Sequence, residues 1–344
     1  MQKKNKQCGK GAFGDVYVAT HKYGQGSEYR NASWRKVAIK KTAPTVLDRR
    51  GGVRIWTFDH VEDKCQEIKT LIKLKEANPN YSCVLQLYEY YWTYNHSNGK
   101  GTLHMVTEFL GQELEVWRQN QSTLLESTVK KISGVILNAL DYISSRKVIH
   151  RDIKLQNILF RVNGDIKTLK LVDFGLAKIM EGNDKASDFC GSLGYIAPEI
   201  YEQKPYRYEV DMFAFGIILF RLLSGVRPFS AVNAEKLRND TVNLRYKIEG
   251  RNWEGVSHNA LKLVRNLLIG QQQRFTAEQA INHEWFTENA VADSVLVPDF
   301  TMSHDNVQEN DDENYSQVIA LVRLCSTIVL YSYVFFFVSP HCHI

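Results

Sequence analysis

Hydrophobic and polar positions alternate over residues 15–20, the period of a half-buried strand, and Val37-Ala38-Ile39-Lys40 reads as another strand. Two more β-rich runs, 84–92 and 103–109, are separated by the turn-forming stretch 95–101. Between these strands one segment, roughly 59–76, has helical spacing, with Ile68, Leu71, Ile72 and Leu74 as its packed face. From residue 114 to 145 the period becomes helical, with Val129, Ile132, Ile136, Leu137 and Leu140 on one face. Ile158-Leu159-Phe160 and Leu169-Lys170-Leu171-Val172 then flank a turn at Asn163-Gly164 as a short hairpin. A continuous apolar helix follows over 217–223, ended by Ser224-Gly225 with Pro228 beyond. The pattern predicts an α+β chain. A small lobe of about 1–108 holds an antiparallel sheet and one main helix, and a larger, mainly helical lobe spans about 112–289.

Two stretches add chemistry to this frame. Gly9, Gly11 and Gly14 sit between two strands, where bare backbone amides can approach phosphate oxygens. On its own that spacing suits a plain hairpin or a dinucleotide-binding turn equally. A dinucleotide fold needs a helix next, whereas residues 15–20 alternate as a strand, so a dinucleotide-dependent enzyme is excluded. Few residues precede this loop, so the first strand is short and either the domain starts abruptly or the sequence is cut short. The second stretch is His150-Arg151-Asp152-Ile153-Lys154-Leu155-Gln156-Asn157, followed after the hairpin by Asp173-Phe174-Gly175. An acid beside a substrate hydroxyl accepts its proton, while a second acid and an amide hold magnesium ions against phosphate oxygens. The two stretches together point to phosphoryl transfer.

These residues resemble the catalytic and metal-binding loops of eukaryotic protein kinases, and the resemblance covers residues 7–289. It implies a two-lobed fold with the nucleotide between the lobes, ATP and Mg2+ as cofactors, and a protein substrate. By that resemblance Asp152 orients the acceptor hydroxyl and takes its proton, Lys154 stabilises the transferred group, and Asn157 and Asp173 hold the metal. Gly9, Gly11, Gly14, Val16, Ala38, Leu159, Glu108 and Leu110 would line the nucleotide site, with Thr107 behind it. Lys40 would reach the phosphates and pair with an acid on the 59–76 helix, where the pattern favours Glu67 over Glu62. Lys154, two residues after Asp152, is the serine/threonine form of the loop. His150 and Phe174 are packing residues, and Asp211 bonds the catalytic-loop backbone at the head of a helix in which Phe213 replaces a tryptophan. Ser192 matches the hydroxyl that bonds the catalytic acid and lysine, and Arg274 should pair with Glu199. Four residues before Ser192 stands Asp188, where the family often carries a phosphorylated threonine, and its charge suits Arg151. A scaffold without catalysis normally lacks one of Lys40, Asp152, Asn157 or Asp173, and all four are present.

The span from Trp253 to Trp285 is most similar to the calcium/calmodulin-dependent group, with two departures from that group's preference for basic substrates. Gln156 and Arg221 stand where acids often do, and Glu113 compensates in part. No calcium-binding loop follows the domain.

Composition changes little in this picture. With 44% hydrophobic and 24% charged residues the chain can bury a large core, and a net charge of +5 without a Lys/Arg block gives no nucleic-acid footprint. The six cysteines lack paired metal spacing, which fits a reducing cytoplasm. Residues 290–317 read as a polar, acidic linker. In 318–344 the run 318–338 is apolar except for Arg323 and leaves three readings open: a membrane tail anchor, a helix docked on the kinase, or a misread chain end. Any membrane contact would come through that tail. His341-Cys342-His343 is poor ligand geometry for a metal.

Overall fold

The computed structural model describes residues 6–11, 14–22, 34–42, 46–47, 53–54, 65–77, 83–95, 100–230 and 233–287. The tail 318–338, the linker, the turn residues 96–99, Glu62 and the start of the helix expected from residue 59 lie outside them. Among the described residues no helix is long and apolar enough to cross a membrane.

By contacts the chain divides into two compact units. The first holds a five-stranded sheet built from β1 (Lys6–Gly11), β2 (Gly14–Lys22) and β3 (Trp34–Thr42). Within the insertion after β3, β4 (Val46–Leu47) pairs antiparallel with β5 (Val53–Arg54). The helix α1 (Gln66–Ala77) comes next in the chain, before β6 (Leu87–Asn95) and β7 (Lys100–Glu108). The sheet order is β1-β2-β3-β7-β6, with β1–β2, β2–β3 and β3–β7 antiparallel. Alternation along the strands separates two faces. Val37, Ile39 and Val106 are buried on one face and pack with Ala19 and Tyr88. Val16, Ala38, Lys40, Met105 and Thr107 share the other through the cross-strand pairs Val16↔Lys40, Ala38↔Thr107 and Lys40↔Met105.

The second unit takes α1 and nearly all of the chain after Phe109. Glu67, Ile68, Leu71 and Leu74 are buried on α1, which packs against the 3₁₀ turn Phe174–Leu176. Ile72 is half-buried. The helical run expected over 114–145 is two helices, α2 (Leu114–Gln119) and α3 (Glu126–Ser145). The break falls where the Asn120 N–H folds back on Arg118 and Trp117, while apolar Leu125 is 74% exposed as the N-cap of α3. Beyond α3 lie β8 (Val148–Ile149), the antiparallel hairpin β9 (Ile158–Phe160) and β10 (Leu169–Leu171), and β11 (Lys178–Ile179), which pairs with β8. Helices α4 (Pro198–Tyr201), α5 (Glu209–Ser224), α6 (Ala234–Val242), α7 (His258–Leu267), α8 (Ala277–Ile281) and α9 (Glu284–Thr287) complete the unit.

Helix α5 is the centre of this unit. Phe213, Phe215, Ile217, Ile218 and Leu219 are wholly buried, and each such side chain contributes about 1.5–3 kcal/mol of apolar transfer. Gly225 in the left-handed conformation stops the helix, with its N–H on the Arg221 carbonyl at 2.9 Å. Phe213, in the place expected of a tryptophan, stacks on Phe229 at 6.0 Å and lies under the Arg274 guanidinium.

Candidate active site

The loop His150–Asn157 is braced from α5. Asp211 accepts the backbone N–H of His150 at 2.7 Å on one carboxylate oxygen and that of Arg151 at 2.8 Å on the other. Those two bonds hold Arg151 at φ +68°, a conformation costly for a non-glycine residue and stable only where neighbours fix it. His150 and Phe174 are fully buried and meet edge to face at 4.8 Å, and the ring of His150 bonds the Val172 carbonyl. They join the start of the loop to the Asp173-Phe174-Gly175 turn as packing residues.

With the backbone fixed, the reactive side chains converge. Lys154 Nζ donates to Asp152 Oδ2 at 2.7 Å and to Ser192 Oγ at 2.8 Å. Asn157 donates its amide to the Asp152 carbonyl at 2.8 Å and to the same Oδ2 at 3.1 Å. One oxygen of Asp152 is therefore saturated, whereas Oδ1 is buried and finds no hydrogen-bond partner among the described residues. Burial by itself would raise the Asp152 pKa; the Lys154 ammonium, helped by Ser192, outweighs it and keeps the carboxyl below its ordinary value. At neutral pH it is an ionised base with one open oxygen, as a proton acceptor requires.

The hairpin brings Asp173 to this loop, since the Val172 N–H donates to the Asn157 carbonyl at 2.9 Å. Asp173 is left-handed at φ +61°. With its amide hydrogens committed to Asp152, Asn157 offers an oxygen, and with the Asp173 carboxylate it makes an all-oxygen donor set of the kind hard Mg2+ prefers. The residues fit the metal.

In the first unit, strand register puts Val16 opposite Lys40 and Ala38 opposite Thr107, so these candidates share a sheet face. Gly11 pairs with Gly14 where β1 turns into β2, and Gly9 pairs with Val16 beside an irregularity in register. A strand follows the glycines, as a phosphate-cradling hairpin needs. Glu108 is buried at the end of β7. In the second unit Glu67 is 7% exposed on the first turn of α1, and Leu159 lies half-buried in β9 opposite Lys170 and bridged to Glu113. Leu110 is half-buried at the start of that unit.

Arg151 also reaches the segment after Asp173. Its Nε donates to the Leu176 carbonyl at 2.6 Å and its Nη1 to Asp188 Oδ2 at 2.7 Å. The Arg151 hydrogen bond and charge, aided by Lys178 at 3.4 Å, hold the Asp188 carboxyl below the usual range. Tyr206 closes the cluster, donating to the Asp188 carbonyl at 2.8 Å. Neither Lys178 nor Tyr206 stood out in the sequence, because both act through groups on separate segments. Gly191, at φ +116°, passes so near the Arg151 carbonyl that a Cβ there would lie 3.0 Å from it. Further on, Arg274 grips buried Glu199 through both guanidinium nitrogens, one bond being 3.0 Å.

A base with an open oxygen beside a lysine and hard-metal donors, on a two-unit α+β chain, belongs to the phosphotransferase class. The family model for the protein kinase domain matches residues 2–286. The chain belongs to the protein kinase family. It is 30% identical over 286 residues to a probable myosin light chain kinase of Dictyostelium discoideum, covering 82% of this chain and 66% of that protein. It is 28% identical over 321 residues to calcium/calmodulin-dependent protein kinase type 1 of Macrobrachium nipponense, covering 92% and 86%. Over 193 residues it is 34% identical to the type 1B enzyme of Rattus norvegicus, covering 56% of each chain.

Proposed function

We propose that this chain transfers the γ-phosphate of ATP to serine and threonine hydroxyls of a protein substrate. The observation that carries the reading is the Asp152 carboxylate, ionised, with one oxygen held by Lys154 and Asn157 and the other buried and open. Asp152 would orient the acceptor hydroxyl and take its proton, while Lys154, already between Asp152 and Ser192, would neutralise the moving phosphoryl oxygens. Lys40 would anchor the nucleotide phosphates with Glu67 as its acid, and Gly9, Gly11 and Gly14 would cover them with backbone amides. Val16, Ala38, Leu159, Glu108 and Leu110 would enclose the base. Asn157 and Asp173 would hold Mg2+, which when bound neutralises charge on the phosphate oxygens. Asp188, paired with Arg151, would supply the charge that in other kinases comes from phosphorylation, so the segment is ordered without an upstream kinase.

The test is transfer of labelled γ-phosphate from ATP to a generic serine/threonine substrate by the purified chain, beside Asp152→Ala. Transfer by wild type that vanishes in the variant is the expected result. A wild type that binds nucleotide and magnesium yet transfers nothing would instead make the protein a nucleotide-binding scaffold.

A further inference from the structure

We propose that the substrates of this kinase carry an acidic or already phosphorylated residue close to the acceptor, and that Arg227 is the side chain that selects it. The proposal rests on the kinase reading above. Lys154 ties Ser192 to the catalytic Asp152, so the segment Ser192-Leu193-Gly194-Tyr195 borders the place where the acceptor hydroxyl must sit. Its outer side is open, with Leu193 50% exposed. At Gly194 there is no side chain, and Arg227 Nη1 lies 3.9 Å from where its Cβ would stand, the nearest described atom apart from Gly194 and its chain neighbours. The guanidinium thus reaches over bare backbone beside the acceptor site.

Arg227 is exposed and makes no hydrogen bond or ion pair with any described residue. A second cation lies close by. Arg118 Nη2 is 3.2 Å from the Cβ position of Gly225, two residues before Arg227, and the Arg118 guanidinium donates through Nη1 a long hydrogen bond of 3.4 Å to the Gln121 carbonyl.

One acid of the same region is already spent. Glu115 is held by both guanidinium nitrogens of Arg221, at 2.9 and 3.0 Å, and by Gln119 at 3.1 Å. Arg221 in turn bonds the Tyr195 hydroxyl, which locks it under the segment. Burial, reinforced by Glu115, raises the Glu113 carboxyl toward its neutral form, with Lys154 opposing only in part. A basic peptide would therefore find Glu115 already committed on this flank, while an anionic one would meet Arg227 with no ion-pair partner among the described residues.

The experiment uses the full chain, ATP and magnesium with a peptide set built on one serine. Positions from four before to four after it carry, one at a time, aspartate, phosphoserine, arginine or alanine. At one or more positions the aspartate or phosphoserine peptide should exceed the arginine peptide in kcat/KM by about fivefold to tenfold, the size expected when a solvent-facing attraction replaces a repulsion. Arg227→Glu should reverse that ratio. A preference for arginine at every position, or a preference for acids that Arg227→Glu leaves in place, overturns the proposal. Failure to phosphorylate every peptide, alanine series included, would instead remove the kinase reading beneath it. Phosphoserine outrunning aspartate would identify a primed substrate, and equal rates a simple acidic one, either supporting the assignment.

Discussion

Replacing Asp188 by asparagine removes a charge with almost no change in shape. The Asp188 side chain is 58% exposed and that of Arg151 only 11%, at a separation of 2.7 Å. Exposed ion pairs contribute about 0.2–1 kcal/mol, and the exposure of Asp188 keeps this pair within that range. The near-burial of Arg151 puts it toward the top, about 1 kcal/mol, because the guanidinium would retain the Leu176 carbonyl and Tyr206 but lose its counter-charge. That corresponds to about a fivefold shift between ordered and disordered forms of the segment, so kcat/KM should fall by up to about fivefold in Asp188→Asn. Peptide phosphorylation measured on phosphatase-treated wild type, Asp188→Asn and Asp188→Glu checks this. Treated wild type should stay fully active. Abolition of its activity by phosphatase, or an Asp188→Asn variant as active as wild type, would refute the reasoning. The pH dependence has a definite sign. Because the folded carboxyl lies below its ordinary value of about 3.9, the pair stabilises fully above that value and is lost as pH falls through the lower folded one. The gap in melting midpoint between wild type and Asp188→Asn should therefore be constant from neutral pH to about 5 and close below about 4.

Arg274→Met should be the more damaging to the fold, since it leaves Glu199, 2% exposed, without its partner; a loss of about 3–5 kcal/mol is expected in chemical unfolding, part of it recovered by adding Glu199→Gln. Gly191→Ala should cost about 1–3 kcal/mol of local strain, because a Cβ at φ +116° meets the Arg151 carbonyl, and it should lower peptide phosphorylation more than it lowers the melting midpoint.

Much of the candidate site was legible because its chemistry is written in short contiguous runs. His150 to Asn157 places a base, a lysine and an amide within eight residues, and the hairpin needed only β-rich segments around Asn163-Gly164 to return Asp173 to them. The Asp211 brace and the Arg274–Glu199 bridge were legible only through family resemblance, since each joins segments more than 50 residues apart. The helical period expected over 114–145 is interrupted at the polar run Asn120 to Thr123, and apolar Leu125 just beyond it is a solvent-facing cap. Local hydropathy carries no information on whether an apolar residue turns inward.

The reaction and its target are encoded differently in this chain. Asp152, Lys154 and Asn157 act on each other over five residues, so their chemistry survives reading one stretch at a time. The charge around Gly194 depends on α2, on the end of α5 and on the loop carrying Arg227, and Arg221 reads as a cation in the sequence until Glu115, 106 residues away, is seen to neutralise it. Once that pair cancels, Arg227 is a charge left without an ion-pair partner among the described residues beside the acceptor segment. Specificity here follows from which charges remain unpaired after folding, and only packing between distant elements decides that.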